Sequence, residues 1–221
     1  MKNNILYLLL AFIGGFTDAS SFINFEVFTG HLTGNSILSA IYIVQDNRPL
    51  FLLSIIALIC FLIGSTNGAI IRTRFNDRFS RSFTLFLIIL LLLATVIIHR
   101  YLGSTDSPNN KFMMISFVSM AMGIQNGFFN QTMGVGTHTT YITGMTTSLI
   151  SALMRTTKDP LKIHNSKIIL PLLISAFILG AFSGAMIATK QGLASYMVIL
   201  GLSFIALFLS FLQDLTDKRP S

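Results

Sequence analysis

Long apolar runs, broken by short polar ones, divide the chain. A helix needs about 20 mostly apolar residues to cross a hydrocarbon core of about 30 Å. Runs of that length predict six helices, at about 4–24, 50–72, 82–102, 112–133, 166–189 and 193–213. Two further apolar stretches, 33–45 and 143–155, are helix-like but only about 13 residues long, or roughly 20 Å at 1.5 Å per residue. Each is preceded by glycine, threonine and histidine, in FTGHLTGNSILSA from Phe28 and HTTYITGMTTSLISAL from His138. The pattern predicts two half-helices, each entered through extended chain.

Composition makes these helices membrane helices. The 221 residues are 52% hydrophobic and only 10% charged, where a soluble domain averages about 25% charged. The chain therefore reads as a single membrane domain, 1–221. Its net charge of +7 does not point to nucleic acid, because the basic residues sit in short clusters between apolar runs. The Lys2-led N-terminus resembles a signal peptide, but cleavage there would remove part of a repeat set out below.

Those clusters also set the topology. Arg72, Arg74, Arg78 and Arg81 form one, Arg155, Lys158, Lys162 and Lys167 a second, and Lys218 and Arg219 a third. Positive loops stay in the cytoplasm. If both half-helices crossed fully, the 72–81 and 155–167 loops would face opposite sides. If both are re-entrant, six spans remain, and the three clusters and both termini are cytoplasmic. The second arrangement is expected.

The halves resemble each other in register. GGFTDASSF (14–22) matches MGIQNGFFN (122–130), placing Asp18 opposite Asn126; Thr33–Gly34 lies opposite Thr143–Gly144; IGSTNGAII (63–71) matches LGAFSGAMI (179–187). Three matches in order indicate a duplication, with repeats 1–105 and 106–221. Each repeat holds three spans, so the second would be inserted upside down. The fold expected is all-α and integral to the membrane: six transmembrane helices in two inverted three-helix repeats, each with a re-entrant half-helix led by a Thr-Gly break.

Irregular backbone at membrane depth must be sheltered by protein or a watery cavity. A half-helix N-terminus offers unpaired N–H groups and about half a positive charge. Thr33 and Thr143 are expected to cap those ends, and Gly34 and Gly144 to let a ligand approach the backbone. Asp18, the one acidic residue deep in a span, costs about 2.5 kcal/mol or more to bury. It reads equally as a proton-coupling group and as a cap on the first break. His31, Asn35 and Asn126 complete the expected binding set of Asp18, His31, Thr33, Gly34, Asn35, Asn126, Thr143 and Gly144. No metal or cofactor is expected, since the histidines lack companions at ligand spacing. Cys60 is alone, so no intrachain disulfide forms. No P-loop, HExxH or GxSxG is present, and no enzymatic activity is expected. The pairs Gly64–Gly68 and Gly180–Gly184 read as close-packing faces, within or between subunits, and a homodimer is expected.

The stretches GFTDASSF and TGHLTGN carry a resemblance. Gly15, Asp18, Ala19 and Phe22, followed by Thr33, Gly34 and Asn35, resemble the pattern of the YoaK-type family of small, six-span bacterial membrane proteins. The Met-Thr-Thr after Gly144 departs from it. The resemblance implies location in the bacterial inner membrane and a permease-type role, with no substrate. Together these readings favour a transporter or channel for a small solute, more anionic or neutral-polar than cationic. The alternatives are a non-transporting scaffold or assembly protein, and a lipid-modifying enzyme using Asp18 and His31.

Overall fold

A computed structural model describes residues 2–75, 80–101, 108–154 and 159–216. The chain is all-helical apart from one small hairpin. In order come α1 (Lys2–Phe25), α2 (Leu32–Val44), α3 (Arg48–Arg74), α4 (Ser80–Tyr101), α5 (Pro108–Phe128), strands β1 (Gln131–Thr132) and β2 (Val135–Gly136), α6 (Thr143–Leu153), α7 (Pro160–Gln191) and, after a short 3₁₀ turn at Gly192–Ala194, α8 (Ser195–Thr216). The stretches Asn4–Phe25, Arg48–Arg74, Ser80–Tyr101 and Pro160–Leu215 are long and apolar enough to cross a membrane, and the last contains both α7 and α8. Large apolar side chains such as Ile178, Leu179, Phe182 and Phe208 point outward, as lipid contact requires.

Local chemistry sets the helix ends. Asn47 caps α3 by accepting from the Leu50 amide, with Pro49 in the first turn. Asp159 caps α7 through the Leu161 and Lys162 amides, with Pro160 as its first residue. A proline in the first turn loses no helical hydrogen bond. α7 stops at Gly192, whose φ of 56° is a conformation that glycine adopts without a Cβ penalty.

The expected helix over 112–133 instead ends at Phe128. The chain then makes an antiparallel hairpin pairing Gln131 with Gly136 and Thr132 with Val135. Met133 and Gly134 at its tip have φ of 52° and 74°, the two positive values of a type I′ turn. The Gly134–Val135–Gly136 run thus belongs to this hairpin. Tyr7 donates to the Gln131 carbonyl (2.7 Å), Arg72 to the Gln131 side chain (2.9 Å) and Asn165 to the Met133 carbonyl (2.9 Å). At the same end, Arg81 pairs with buried Asp214 at 2.9 Å, and Ser82 donates to that carboxylate. The ends of α1, α3, α4, α7 and α8 that flank the basic clusters therefore gather at one end of the bundle. Residues 76–79, 155–158 and 217–221 of those clusters lie outside the described residues.

Two tight helix pairs form the interior, α1 with α7 and α3 with α5. Glycine makes both possible. A Cβ on Gly15 would overlap the Phe177 carbonyl, and one on Gly123 the Phe61 carbonyl. Likewise Gly180 sits on the Phe12 carbonyl and Gly64 on the Met120 carbonyl, while Gly184 meets Phe16 and Gly68 meets Ile124. Each contact in one pair has its partner in the other, 108 residues on for α1 against α5 and 116 for α3 against α7. Both GxxxG pairs are spent inside the chain. Of the two readings of these pairs, within or between subunits, the contacts are those of packing within the chain.

Candidate functional site

Where α1 ends, the chain doubles back. Tyr42, near the far end of α2, donates to the Glu26 carbonyl. The chain then runs inward until the amides of Thr29 and Gly30 donate to Asp18 Oδ1, at 3.0 and 2.6 Å. α2 returns outward from Leu32. Residues 26–31 are thus a lead that descends beside α1 to the level of Asp18. Phe28 is fixed on the way: its amide donates to Asn35 Oδ1 (2.9 Å), and Asn35 Nδ2 donates to its carbonyl (2.6 Å).

The second half repeats the device with different parts. Its lead, residues 137–142, follows the hairpin. Thr140 donates to Asn126 Oδ1 (3.3 Å), and Gln125 Nε2 donates to Thr139 Oγ1 and to the Leu10 carbonyl, both at 3.0 Å. Gly14 lets this lead cross α1, since a Cβ there would overlap the Thr139 carbonyl. Thr139 and Thr140 lie 110 residues after Thr29 and Gly30, and Asn126 lies 108 after Asp18. Met145 stands where Asn35 would be. It cannot make the two-way clamp, and the hairpin holds this lead instead.

The two leads meet. A Cβ on Gly30 would lie 3.2 Å from Thr140 Cβ and 3.3 Å from Asp18 Oδ1. Beside that contact lies a cavity of about 430 Å³. The first half lines it with Gly30, His31, Thr33 and Ser65, and the second with Asn126, Tyr141, Thr143 and Gly144. The wall also includes Leu32, Phe61 and Leu62, and no Asp, Glu, Lys or Arg. A larger open groove of about 710 Å³ follows one outer face of α2, lined largely by Ile37, Ile41 and Val44. It draws on a single helix and gathers few polar groups, so the smaller cavity is the candidate site.

Five of the eight expected residues line this cavity: His31, Thr33, Asn126, Thr143 and Gly144. The other three stand behind it. Asp18 is 5% exposed and holds the back of the Gly30 wall. Asn35 is 2% exposed and occupied with Phe28.

Gly34 seats an aromatic pair, and its role differs from the ligand approach expected. A Cβ there would lie 2.8 Å from the Phe28 ring and 2.9 Å from the His31 ring. A Cβ on Gly144 would lie 2.9 Å from the His138 ring and 3.4 Å from the Tyr141 ring. Phe28 and His31 have ring centroids 5.6 Å apart, and His138 and Tyr141 stack at 4.4 Å. In register, His31 answers to Tyr141 and Phe28 to His138. One ring of each pair therefore faces the cavity.

Thr33 and Thr143 do not cap. The N-cap residues are His31 and Ile142, and neither makes a side-chain cap hydrogen bond. The first intrahelical bonds run from Asn35 to His31 and from Thr146 to Ile142. The amides of Leu32, Thr33 and Gly34, and of Thr143, Gly144 and Met145, are thus left without intrahelical partners. Both sets begin at the cavity.

These features define an all-helical protein with membrane-type helices and, among the described residues, a part-open cavity lined by segments of both halves. Residues 6–209 match the family model DUF1275, described as a protein of unknown function. The chain belongs to that family, consistent with the YoaK-type resemblance. No curated protein and no solved structure matches it.

Proposed function

We propose that this protein is a transporter or channel that passes a small anionic or neutral-polar solute through the cavity between its two half-helices. One observation carries the reading: both half-helix starts open on the same cavity of about 430 Å³. Two uncapped helix N-termini favour negative charge or an electronegative atom. The amide of Asn126 and the hydroxyls of Ser65, Thr33 and Thr143 supply neutral hydrogen bonds.

The architecture that goes with this reading is six spans, α1, α3, α4, α5, α7 and α8, in two inverted repeats. The matched glycine contacts support the duplication. The doubling back of residues 26–31 and their return through α2 support re-entry. α5 is the most polar long helix, and the burial of Ala121 to Gln125 supports reading it as a span shielded by its neighbours along that stretch. Inverted repeats with broken helices meeting near the midplane are a transporter arrangement. A static scaffold would not need such a cavity there.

The basic end of the bundle is taken as cytoplasmic, in the bacterial inner membrane, with both termini there. In a Cys60-free variant, Phe75→Cys is expected to react with an impermeant maleimide only from the cytoplasmic side. Reaction only from outside would overturn the orientation.

Function is tested with vesicles containing the purified protein. A panel of radiolabelled small carboxylates, inorganic anions and neutral polar metabolites is offered to them. At least one is expected to enter faster than into protein-free vesicles. Equal rates across the panel would contradict the reading.

A further inference from the structure

We infer that Asp18 is a proton-operated latch on the first lead: ionised, it locks Thr29 and Gly30 against α1, and protonated, it lets that wall of the cavity move. The inference rests on the solute-site reading above and adds a means of control to it.

The argument starts from what Asp18 has around it. It is 5% exposed, two turns before the end of α1 at Phe25. Among the described residues it has no ion-pair partner. The donors it has are neutral, the Thr29 and Gly30 amides, with the Thr29 hydroxyl beside them. That hydroxyl meets Ser21 Oγ at 3.0 Å, and Ser21 Oγ meets Tyr196 OH at 2.8 Å. Among the described residues, Tyr196 on α8 is the titratable group in that network, His31 follows Gly30 on the lead, and the second lead presents neutral Thr140. Ser20, beside Ser21 on α1, faces α7 only through the Gly184 carbonyl.

A tether alone does not require a carboxylate. In the second half, neutral Asn126 holds Thr140 at the matching place. Maintaining a titratable acid in a membrane span is costly, so position 18 carries a chemistry that position 126 lacks. That chemistry is a change of charge. Hydrogen bonds to a carboxylate are roughly twice as strong as neutral ones, and two of them fix the lead. Protonation converts both to neutral bonds. The hydroxyls of Thr29 and Ser21 can reverse their donor direction, so the network stays bonded in either state. Gly30 lies between Asp18 and Thr140 and lines the cavity, so a loosened lead changes the cavity directly.

The test reads the lead itself and needs no solute. In a Cys60→Ala background, Thr140→Cys places a thiol on the second lead, fully buried against Gly30, and Val44→Cys, on a residue 86% exposed, serves as reference. Maleimide labelling of the first relative to the second is followed from pH 8.5 to pH 5 in membranes. The relative rate is expected to rise about tenfold as pH falls, as two charge-assisted bonds become neutral. Asp18→Asn is expected to be pH-independent and as fast as wild type at low pH. Asp18→Glu is expected to keep the pH dependence. His31→Gln is expected to keep the pH dependence, whatever it does to the absolute rate. A pH-independent wild type, a pH dependence that survives Asp18→Asn, or one that disappears with His31→Gln would each overturn the latch. A protein that shows the latch but carries no solute would instead count against the solute reading alone.

Discussion

Gly180→Val is expected to leave almost no folded protein. The side chain would enter α1 at the Phe12 carbonyl. That oxygen is part of a helix backbone and cannot rotate aside, so the α1–α7 pair would have to separate. Overpacking usually costs about 1–3 kcal/mol, and a clash with helix backbone belongs at or above the top of that range. Gly64→Val should behave alike, because Gly64 sits on the Met120 carbonyl in the α3–α5 pair. The control is Gly201→Ala. Nothing lies within 4 Å of its added Cβ, and the change should stabilise α8 by up to about 1 kcal/mol. Size-exclusion profiles and thermal melting in mild detergent read all three. Gly180→Val melting within a few degrees of wild type would refute the packing account.

The second large effect is at Asp18. Asp18→Leu removes the acceptor for the Thr29 and Gly30 amides, and both lie where water is scarce. Each unsatisfied buried donor costs about 1–3 kcal/mol. The two together should cost several kcal/mol, less whatever the apolar side chain regains. Asp18→Asn keeps an acceptor oxygen in place and should melt close to wild type at low pH. Equal melting of Asp18→Leu and wild type would mean that the tether does not hold the lead.

Much of this was readable from the sequence. The eight helical segments, including two too short to cross, follow from run length, and most of their ends fall within a few residues of expectation. The register offsets of 108, 110 and 116 reappear as matched contacts in the two halves. The hairpin at 131–136 was not readable. Met133–Gly134 sits in an apolar run that looks like more helix, and only positive φ marks the turn. The role of Gly34 and Gly144 was half readable. Glycine signals close approach, but spacing does not say whether ligand, backbone or ring approaches. Here it is the Phe28–His31 and His138–Tyr141 rings. Tyr141 could have been found by carrying the 110-residue offset from His31. Ser65 faces the cavity from within a stretch whose glycines pack the other way, and periodicity alone would not separate the two.

The central claim is that the cavity between the half-helices binds the solute, and the most direct measurement is solute-induced thermal stabilisation of wild type against Gly34→Val and Gly144→Val. A valine at either glycine pushes on an aromatic pair at the cavity edge, while the helix-propensity change itself stays under about 1 kcal/mol. With a panel of small anions and neutral polar solutes, at least one solute is expected to raise the melting temperature of the wild type. The same solute should leave both folded variants where they were. A solute that stabilises wild type and both folded glycine variants equally would contradict the account.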